Sequence, residues 1–310
     1  MSITNEYKAN NTGRIIWKVI AYLLLTLFAL FMLFPFYFMI LTSFVDNVDF
    51  QKQATEGHII IVPQADWLTI QNYLLTFQAG QNTPGSHSGF GIYFLNTFIV
   101  AIVSTFVTVV TTLFAAFAFS RLEFKGKNLL FMLILATMMV PGEMMVLTNY
   151  QTTASFGWLN TFSALILVHG VAVFYIFYLR QTFQQIPNEL YLASKVDGYT
   201  DTQYFWKIMV PLAAPTVITI TILSVMGAWN SFIWPTLVAS GENLFFKAMG
   251  INWNMKLVSN GIMSMFATEF SDNIPGRLAG SVLTTLPLLV IFAIFRKRIM
   301  TGVSRSGIKG

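Results

Sequence analysis

The chain has no cysteine, few charged residues and only three histidines. Of its 310 residues, 10% are Asp, Glu, Lys or Arg, whereas a soluble domain carries about 25%. Without cysteine the chain can form neither a disulfide nor a thiolate metal site. His58, His87 and His169 lie far apart in the sequence, so we predict no metal site.

Motifs for nucleotide hydrolysis and metalloprotease chemistry are also missing. There is no G-x-x-x-x-G-K-[ST] phosphate loop, because Gly126-Lys127 lacks both the upstream glycine spacing and the following Ser or Thr. There is no H-E-x-x-H motif, and no nucleophile or metal constellation marks a membrane-embedded enzyme. We therefore predict a non-catalytic chain with no cofactor of its own.

What the chain has in abundance is apolar sequence. Hydrophobic residues make up 55%, Phe occurs 30 times, and the mean hydropathy is +0.64. Six runs are compatible with the roughly 20 residues that a membrane-spanning helix needs: 15–44, 92–119, 129–147, 159–179, 212–234 and 278–295. The first exceeds the apolar core of about 7–15 residues in a signal peptide. The sequence thus predicts an all-α polytopic membrane protein with six transmembrane helices.

The placement of the basic residues predicts the orientation. If the N-terminus is cytoplasmic, fourteen of the 18 Lys and Arg residues lie on the cytoplasmic side, and only Lys52, Lys247, Lys256 and Arg277 lie outside. By the positive-inside rule, we predict that both termini face the cytoplasm. The expected location is a bacterial plasma membrane. The net charge of +5 is therefore explained by the membrane topology. We predict membrane lipid as a partner and no nucleic acid.

This topology divides the chain into segments. They are a cytoplasmic tail 1–14, the first span 15–44, an outer loop 45–91, a membrane core 92–295 and a basic cytoplasmic tail 296–310. Within the core lie a cytoplasmic loop, 180–211, and an outer loop, 235–277. The Gly/Ser/Pro cluster from Gly80 to Gly91 predicts flexibility. The apolar content of loop 235–277 predicts a packed segment.

Loop 180–211 is a polar island between two apolar runs, and it carries helix signals. Pro187 suits a helix start, and Asp197-Gly198 suits a helix stop. Thr200 and Gln203 have the spacing of a capping box for a second helix, and Pro211 closes the segment. The pattern predicts a helix–turn–helix on the cytoplasmic surface. An ordinary interfacial amphipathic segment is the alternative.

Short sequence motifs, here called landmarks, occur in a fixed order within and on both sides of this loop, over residues 92–310. They are Asn96-Thr97, Ala118-Phe119-Ser120-Arg121, Met139-Val140-Pro141-Gly142-Glu143, Arg180-Gln181, Ile186-Pro187, Trp229-Asn230, Trp234-Pro235, Gly302 and Lys309-Gly310. With them the chain resembles the permeases of ATP-binding-cassette (ABC) importers, in the carbohydrate group that includes the maltose-type permease. Loop 180–211 resembles the EAA loop of that family.

The resemblance implies the type I importer permease fold and a set of partners. These are a homologous second permease, two ATPase subunits that bind ATP and Mg, and an extracytoplasmic solute-binding protein. Part 187–211 of the loop would dock in a groove of the ATPase. The coupling residues that the resemblance implies are Glu189, Leu192, Ala193, Ser194, Asp197 and Gly198.

One position departs from the family pattern. Leu192 stands where the family usually has Glu, although Asp197-Gly198 matches its turn and Ala193-Ser194 replaces its two alanines. Glu189, about one helical turn earlier, is the candidate substitute for the missing carboxylate. A contact based on apolar packing is equally open.

Four polar residues are candidates for the substrate path: Asn96, Glu143, His169 and Asn230. Each also has a structural interpretation, since polar groups within spans often serve as interhelical hydrogen bonds. A sugar or oligosaccharide is the expected cargo, and a glycerol-phosphate or polyol is the alternative. An ion-coupled secondary transporter would need several buried acids or an inverted repeat, and we find neither.

Overall fold

The computed structural model describes residues 3–58, 60–79, 86–87, 89–268 and 270–304, and these are mostly helical. The first eight α-helices are α1 (Ile3–Ser43), α2 (Asn47–Thr55), α3 (Gln71–Gln78), α4 (Phe90–Ser120), α5 (Lys127–Thr137), α6 (Val146–Ser155), α7 (Phe162–Ile166) and α8 (Val173–Gln184). The rest are α9 (Asn188–Val196), α10 (Asp201–Tyr204), α11 (Val210–Leu212), α12 (Ala214–Trp229), α13 (Ile233–Val238), α14 (Leu244–Ala248), α15 (Val258–Thr268) and α16 (Ile274–Ser304). Strands β1 (Ser86–His87) and β2 (Asn252–Trp253) form a short parallel pair.

Three helices contain a stretch long and apolar enough to cross a membrane. These stretches are Gly13–Ser43, Phe90–Ser120 and Ile274–Arg296. Two helix pairs pass the same test together but are bent: Lys127–Thr137 with Gly142–Ser155 by 87°, and Asp201–Leu212 with Ala214–Trp229 by 78°. The described residues therefore give three spans, or up to five if each bent pair is one span.

The predicted runs differ in how continuous they are. Run 129–147 is broken before Pro141, because proline disfavours helix in the residue before it, and a 3-10 turn, Gly142–Met145, follows. Run 159–179 is not one helix, since α7 ends at Ile166 and α8 begins at Val173. The count of six spans and the cytoplasmic termini stay predictions.

The terminal segments are more helical than predicted. Helix α1 begins at Ile3, inside the predicted tail 1–14, and α16 continues to Ser304, well into the predicted tail 296–310. Apolar helices extend into flanking polar residues because each added residue gains a backbone hydrogen bond. The cluster 80–91 lies outside the described residues at 80–85 and 88, as do the terminal residues 305–310.

The chain divides into two units. The first is Met1–Thr76 with Phe270–Leu283. In it the Asn72 amide donates to Ser43 O at 2.9 Å and to Val45 O at 2.8 Å. The Tyr73 hydroxyl lies 2.6 Å from Ser43 Oγ. These bonds attach α3 to the end of α1, and the bond to Ser43 O satisfies a carbonyl that α1 leaves unpaired.

The second unit is Phe77–Glu269 with Thr284–Gly310, and it contains the sites considered below. Helix α4 is its centre and packs against α7, α8, α12 and α15. In outer loop 235–277, Met255, Leu257 and Val258 are buried, which confirms the prediction that this loop is packed.

Candidate functional site

Helix α9 is the first helix of loop 180–211. Pro187 caps its start, with Glu189 in the first turn and Lys195 in the last, which is the favourable order of charges along a helix dipole. At its end Gly198 has φ +78°, and Tyr199 N donates to Ser194 O at 2.8 Å. Glycine adopts this left-handed conformation without a Cβ clash, so the predicted turn is confirmed.

The second helix begins at the predicted capping box. Thr200 Oγ1 accepts from Gln203 N at 3.2 Å, and Gln203 Oε1 accepts from Thr200 N at 2.9 Å. The helix then widens into a π turn, Phe205–Met209. The segment ends at Leu212, one residue beyond the predicted Pro211. The π turn shifts the hydrogen-bond spacing before Pro211 and so relieves the clash that proline causes inside a regular helix.

An ion pair and a hydrogen bond join the two helices across the turn. Lys195 Nζ lies 2.6 Å from Asp201 Oδ1, and the Tyr191 hydroxyl donates to the same oxygen at 2.8 Å. Lys195 first, and then Tyr191, lowers the pKa of the Asp201 carboxyl. The hydrogen bond to Asp201 raises the pKa of Lys195 and of Tyr191. All three groups keep their hydrogen-bonding protonation states at neutral pH.

The inner side of the loop is part of an apolar core. Tyr204, Phe205 and Met209 are fully or almost fully buried against Phe117 of α4 and Phe183 of α8. The rings of Phe117 and Phe205 are 4.8 Å apart. Because close-packed interiors transmit strain, a displacement of this loop would be transmitted to α4 and α8.

Arg121, at the end of α4, strengthens the same connection. Its Nη2 donates to Phe183 O at 3.0 Å and to Ile186 O, and its Nη1 donates to Asn188 Oδ1 at 3.3 Å. One guanidinium thus joins α4 to the end of α8 and the start of α9. From the sequence, Arg121 is identified only as part of a landmark motif and as one of the basic residues on the predicted cytoplasmic side.

Two other basic side chains satisfy carbonyls at the end of α4. Arg180 Nε donates to Phe119 O at 3.0 Å while its guanidinium lies 4.0 Å from the centre of the Phe131 ring. Lys127 Nζ donates to Leu122 O at 2.8 Å. Cations stabilise the carbonyl end of a helix, which gives the landmarks around 118–121 and 180 a physical role.

The outer side of α9 carries the other predicted coupling residues. Glu189, Leu192 and Val196 share one face at helical spacing and are exposed, Leu192 by 57% and Val196 by 89%. Ala193, Asp197 and Gly198 are exposed too. Ser194 is buried, and its hydroxyl donates to Tyr191 O at 2.7 Å. Within the described residues Glu189 forms no ion pair, so its carboxylate and the neighbouring apolar side chains face outward together.

The four substrate-path candidates are not gathered at one place. Asn96 is buried, and its amide donates to Asn254 O at 2.8 Å and to Lys256 O at 2.9 Å. Its Oδ1 accepts from Trp253 Nε1 at 2.9 Å, so Asn96 fixes the outer loop. Glu143 is exposed in the turn after Pro141, and Asn230 is exposed at the end of α12.

His169 differs from the other three because it lines a cavity of about 200 Å³. Its ring meets that of Trp234 edge-on, with centroids 5.3 Å apart. Trp234 is buried, and its indole donates to Ala164 O at 2.9 Å. This tryptophan is therefore a wall of the unit's interior and not a membrane-surface anchor.

Comparisons with known proteins agree with this architecture. Residues 108–305 match the family described as "Binding-protein-dependent transport system inner membrane component". Over 278 residues the chain is 28% identical to the arabinooligosaccharides transport system permease protein AraQ of Halalkalibacterium halodurans, covering 89% of this chain and 91% of that protein. Over 289 residues it is 30% identical to the inner membrane ABC transporter permease protein YcjP of Escherichia coli (strain K12), covering 92% and 94%.

A solved structure shows the same fold. It is a bacterial ABC transporter involved in the import of the acidic polysaccharide alginate, with a TM-score of 0.75 at 18% identity, covering 92% of this chain and 97% of that one. The family match covers more than half of the sequence, and the E. coli relative aligns over nearly all of it. The chain therefore belongs to the inner-membrane permeases of binding-protein-dependent ABC transporters.

Proposed function

We propose that this chain is the permease subunit of an ATP-driven importer for a sugar or oligosaccharide, and that loop 187–211 couples ATPase closure to alternating access. The observation that carries the coupling role is the two-sided structure of the loop. Its inner side is buried against α4 and α8, and its outer side exposes Leu192 and Val196. The arabinooligosaccharide permease among its relatives supports the cargo.

Coupling requires that the loop move as one body with the helices. The Lys195–Asp201 pair joins α9 to α10, and Arg121 joins α9 to α4 and α8. When two ATPase subunits close on ATP and Mg, a displaced α9 face would carry these helices with it, which is a rigid-body transition. Because the chain has no phosphate loop, ATP and Mg bind to the partner chains.

The contact with the ATPase is apolar in its centre. Val196 and Leu192 are exposed on a polar loop, and clustered exposed apolar side chains mark interaction sites. Glu189, on the same face, lies beside this patch and can add a charge contact. A homologous second permease and an extracytoplasmic solute-binding protein complete the importer.

Purification and transport test the proposal. A tagged chain purified from its native membrane in mild detergent should bring an ATPase with a phosphate loop and a second permease. Reconstituted with the solute-binding protein, the complex should take up arabinotriose only when ATP is present. Recovering no ATPase, together with uptake that ignores ATP depletion, would contradict the importer. Uptake of glycerol 3-phosphate but no sugar would keep the importer and support the alternative cargo.

A further inference from the structure

The cavity beside His169 lies where two helices are interrupted. One wall is α4, with Val100, Ser104 and Thr108, and another is the break 167–172 between α7 and α8. The third is the end of α12 and the break before α13, where Ser231 lies. Non-helical backbone at membrane depth is tolerated only where it is buried in protein or lines a cavity.

Ser104 is the most informative residue of the lining. It is 9% exposed, and its hydroxyl has no hydrogen-bond partner among the described residues. A buried hydroxyl without a partner is unfavourable because it has lost its hydrogen bonds to water, so a polar occupant of the cavity would remove that penalty. Ser224, Ser231 and Tyr175 contribute further hydroxyls to the same lining.

The charge of the lining and the size of the cavity restrict what the cavity can bind. Among the described lining residues there is no Asp, Glu, Lys or Arg, so no permanently charged side chain there compensates a carboxylate or a phosphate. The cavity, at about 200 Å³, is smaller than the roughly 300–1,000 Å³ of pockets that enclose a whole drug-sized ligand. Gly227 is part of the lining, and a Cβ at that position would meet nothing within 4 Å.

We infer that this cavity binds one neutral sugar ring of the transported solute, with Ser104 as a hydrogen-bonding residue and the edge-packed His169 and Trp234 rings as an aromatic wall. The inference rests on the proposed function and deepens it. It places a cargo contact within this subunit. It also selects neutral sugar over glycerol phosphate.

Thiol accessibility provides the direct test, because the chain has no cysteine of its own. In the reconstituted importer, Ser104→Cys should react with a small methanethiosulfonate reagent, and arabinotriose should slow the reaction at least about fivefold. Thr105→Cys is the matched control. Thr105 is the next residue of α4, is buried and also has an unpartnered hydroxyl, but it does not line the cavity. Its labelling should not respond to the sugar.

Uptake kinetics give a second readout. Ser104→Ala should raise the KM for sugar uptake about five- to tenfold, the equivalent of one hydrogen bond, while Thr105→Val changes it less than about twofold. Sugar uptake by the wild type, with no protection of Ser104→Cys and equal kinetics for the two variants, would overturn the cavity assignment alone. A wild-type importer that takes up no sugar would overturn the proposed cargo as well.

Discussion

At the scale of single residues, the proposed docking of loop 187–211 gives Leu192 a defined role, because it is an exposed apolar side chain at the position of the family's carboxylate. Leu192→Asn should weaken binding of the ATPase about tenfold or more, because burying a leucine side chain is worth about 1.5–3 kcal/mol. Glu189→Ala should cost less, since an exposed charge pair contributes at most about 1 kcal/mol. Binding can be measured as ATPase retained on immobilised permease.

The exposed Thr202 provides a control for these variants, and Thr202→Ala should bind like the wild type. A larger loss for Glu189→Ala than for Leu192→Asn would show that Glu189 does replace the family's glutamate. Equal and small losses for both would place the contact elsewhere on the loop.

Arg121 acts differently, because it connects elements within the chain. Arg121→Gln removes charged donors to Phe183 O and Ile186 O, and such bonds contribute about 1.5–3 kcal/mol each. We expect the assembled complex to keep hydrolysing ATP while sugar uptake per ATP falls at least about fivefold. Lys125→Gln removes a nearby exposed charge and should leave this ratio unchanged. Parallel losses of hydrolysis and uptake in Arg121→Gln would indicate misfolding instead of uncoupling.

At the scale of elements, the sequence predicts those turns and helix ends that depend on residues close together in the chain. The turn at Gly198 and the capping box at Thr200 depend on residues within a few positions of each other, and both are present. The break at 167–172 is different. Its sequence continues an apolar run, and the contact that holds it, from Thr111 Oγ1 to Gly170 O, spans 59 residues. Arg121 escaped prediction for the same reason, since its partners lie 62 or more residues away.

The pairing of α9 with α10 should depend on pH in a defined direction. The native contacts lower the pKa of Asp201, so their contribution is complete above its ordinary value of 3.8 and is lost as pH falls through the depressed pKa. Hydrogen exchange of residues 188–204, corrected for the intrinsic effect of pH, should accelerate only in that acid range. Asp201→Asn should exchange faster already at pH 7 and show no such step. A step near pH 6 in the wild type would contradict this assignment.

At the scale of the whole molecule, the charge map and the helices together constrain the number of spans. Three intact helices and two bent pairs make five, and an odd number would place the termini on opposite sides. Basic residues at both ends of the chain favour an even number by the positive-inside rule. We therefore predict that the interrupted run 159–179 is the sixth span. Its non-helical part is stabilised within the protein by the bond from Thr111 to Gly170 O.

Cysteine scanning of a chain without cysteine can decide this. With a membrane-impermeant maleimide and right-side-out vesicles, Lys52→Cys and Ser155→Cys should react from outside. Lys125→Cys and Thr202→Cys should react only after permeabilisation.

Ser155, exposed at the end of α6, is the decisive position because it separates the two interrupted runs. If Ser155→Cys is protected together with Lys125→Cys and Thr202→Cys, run 129–147 and run 159–179 both re-enter on the cytoplasmic side, and the chain has four spans with its termini still inside. If Ser155→Cys and Thr202→Cys both react from outside, run 129–147 crosses and run 159–179 does not, so the coupling loop could not meet a cytoplasmic ATPase.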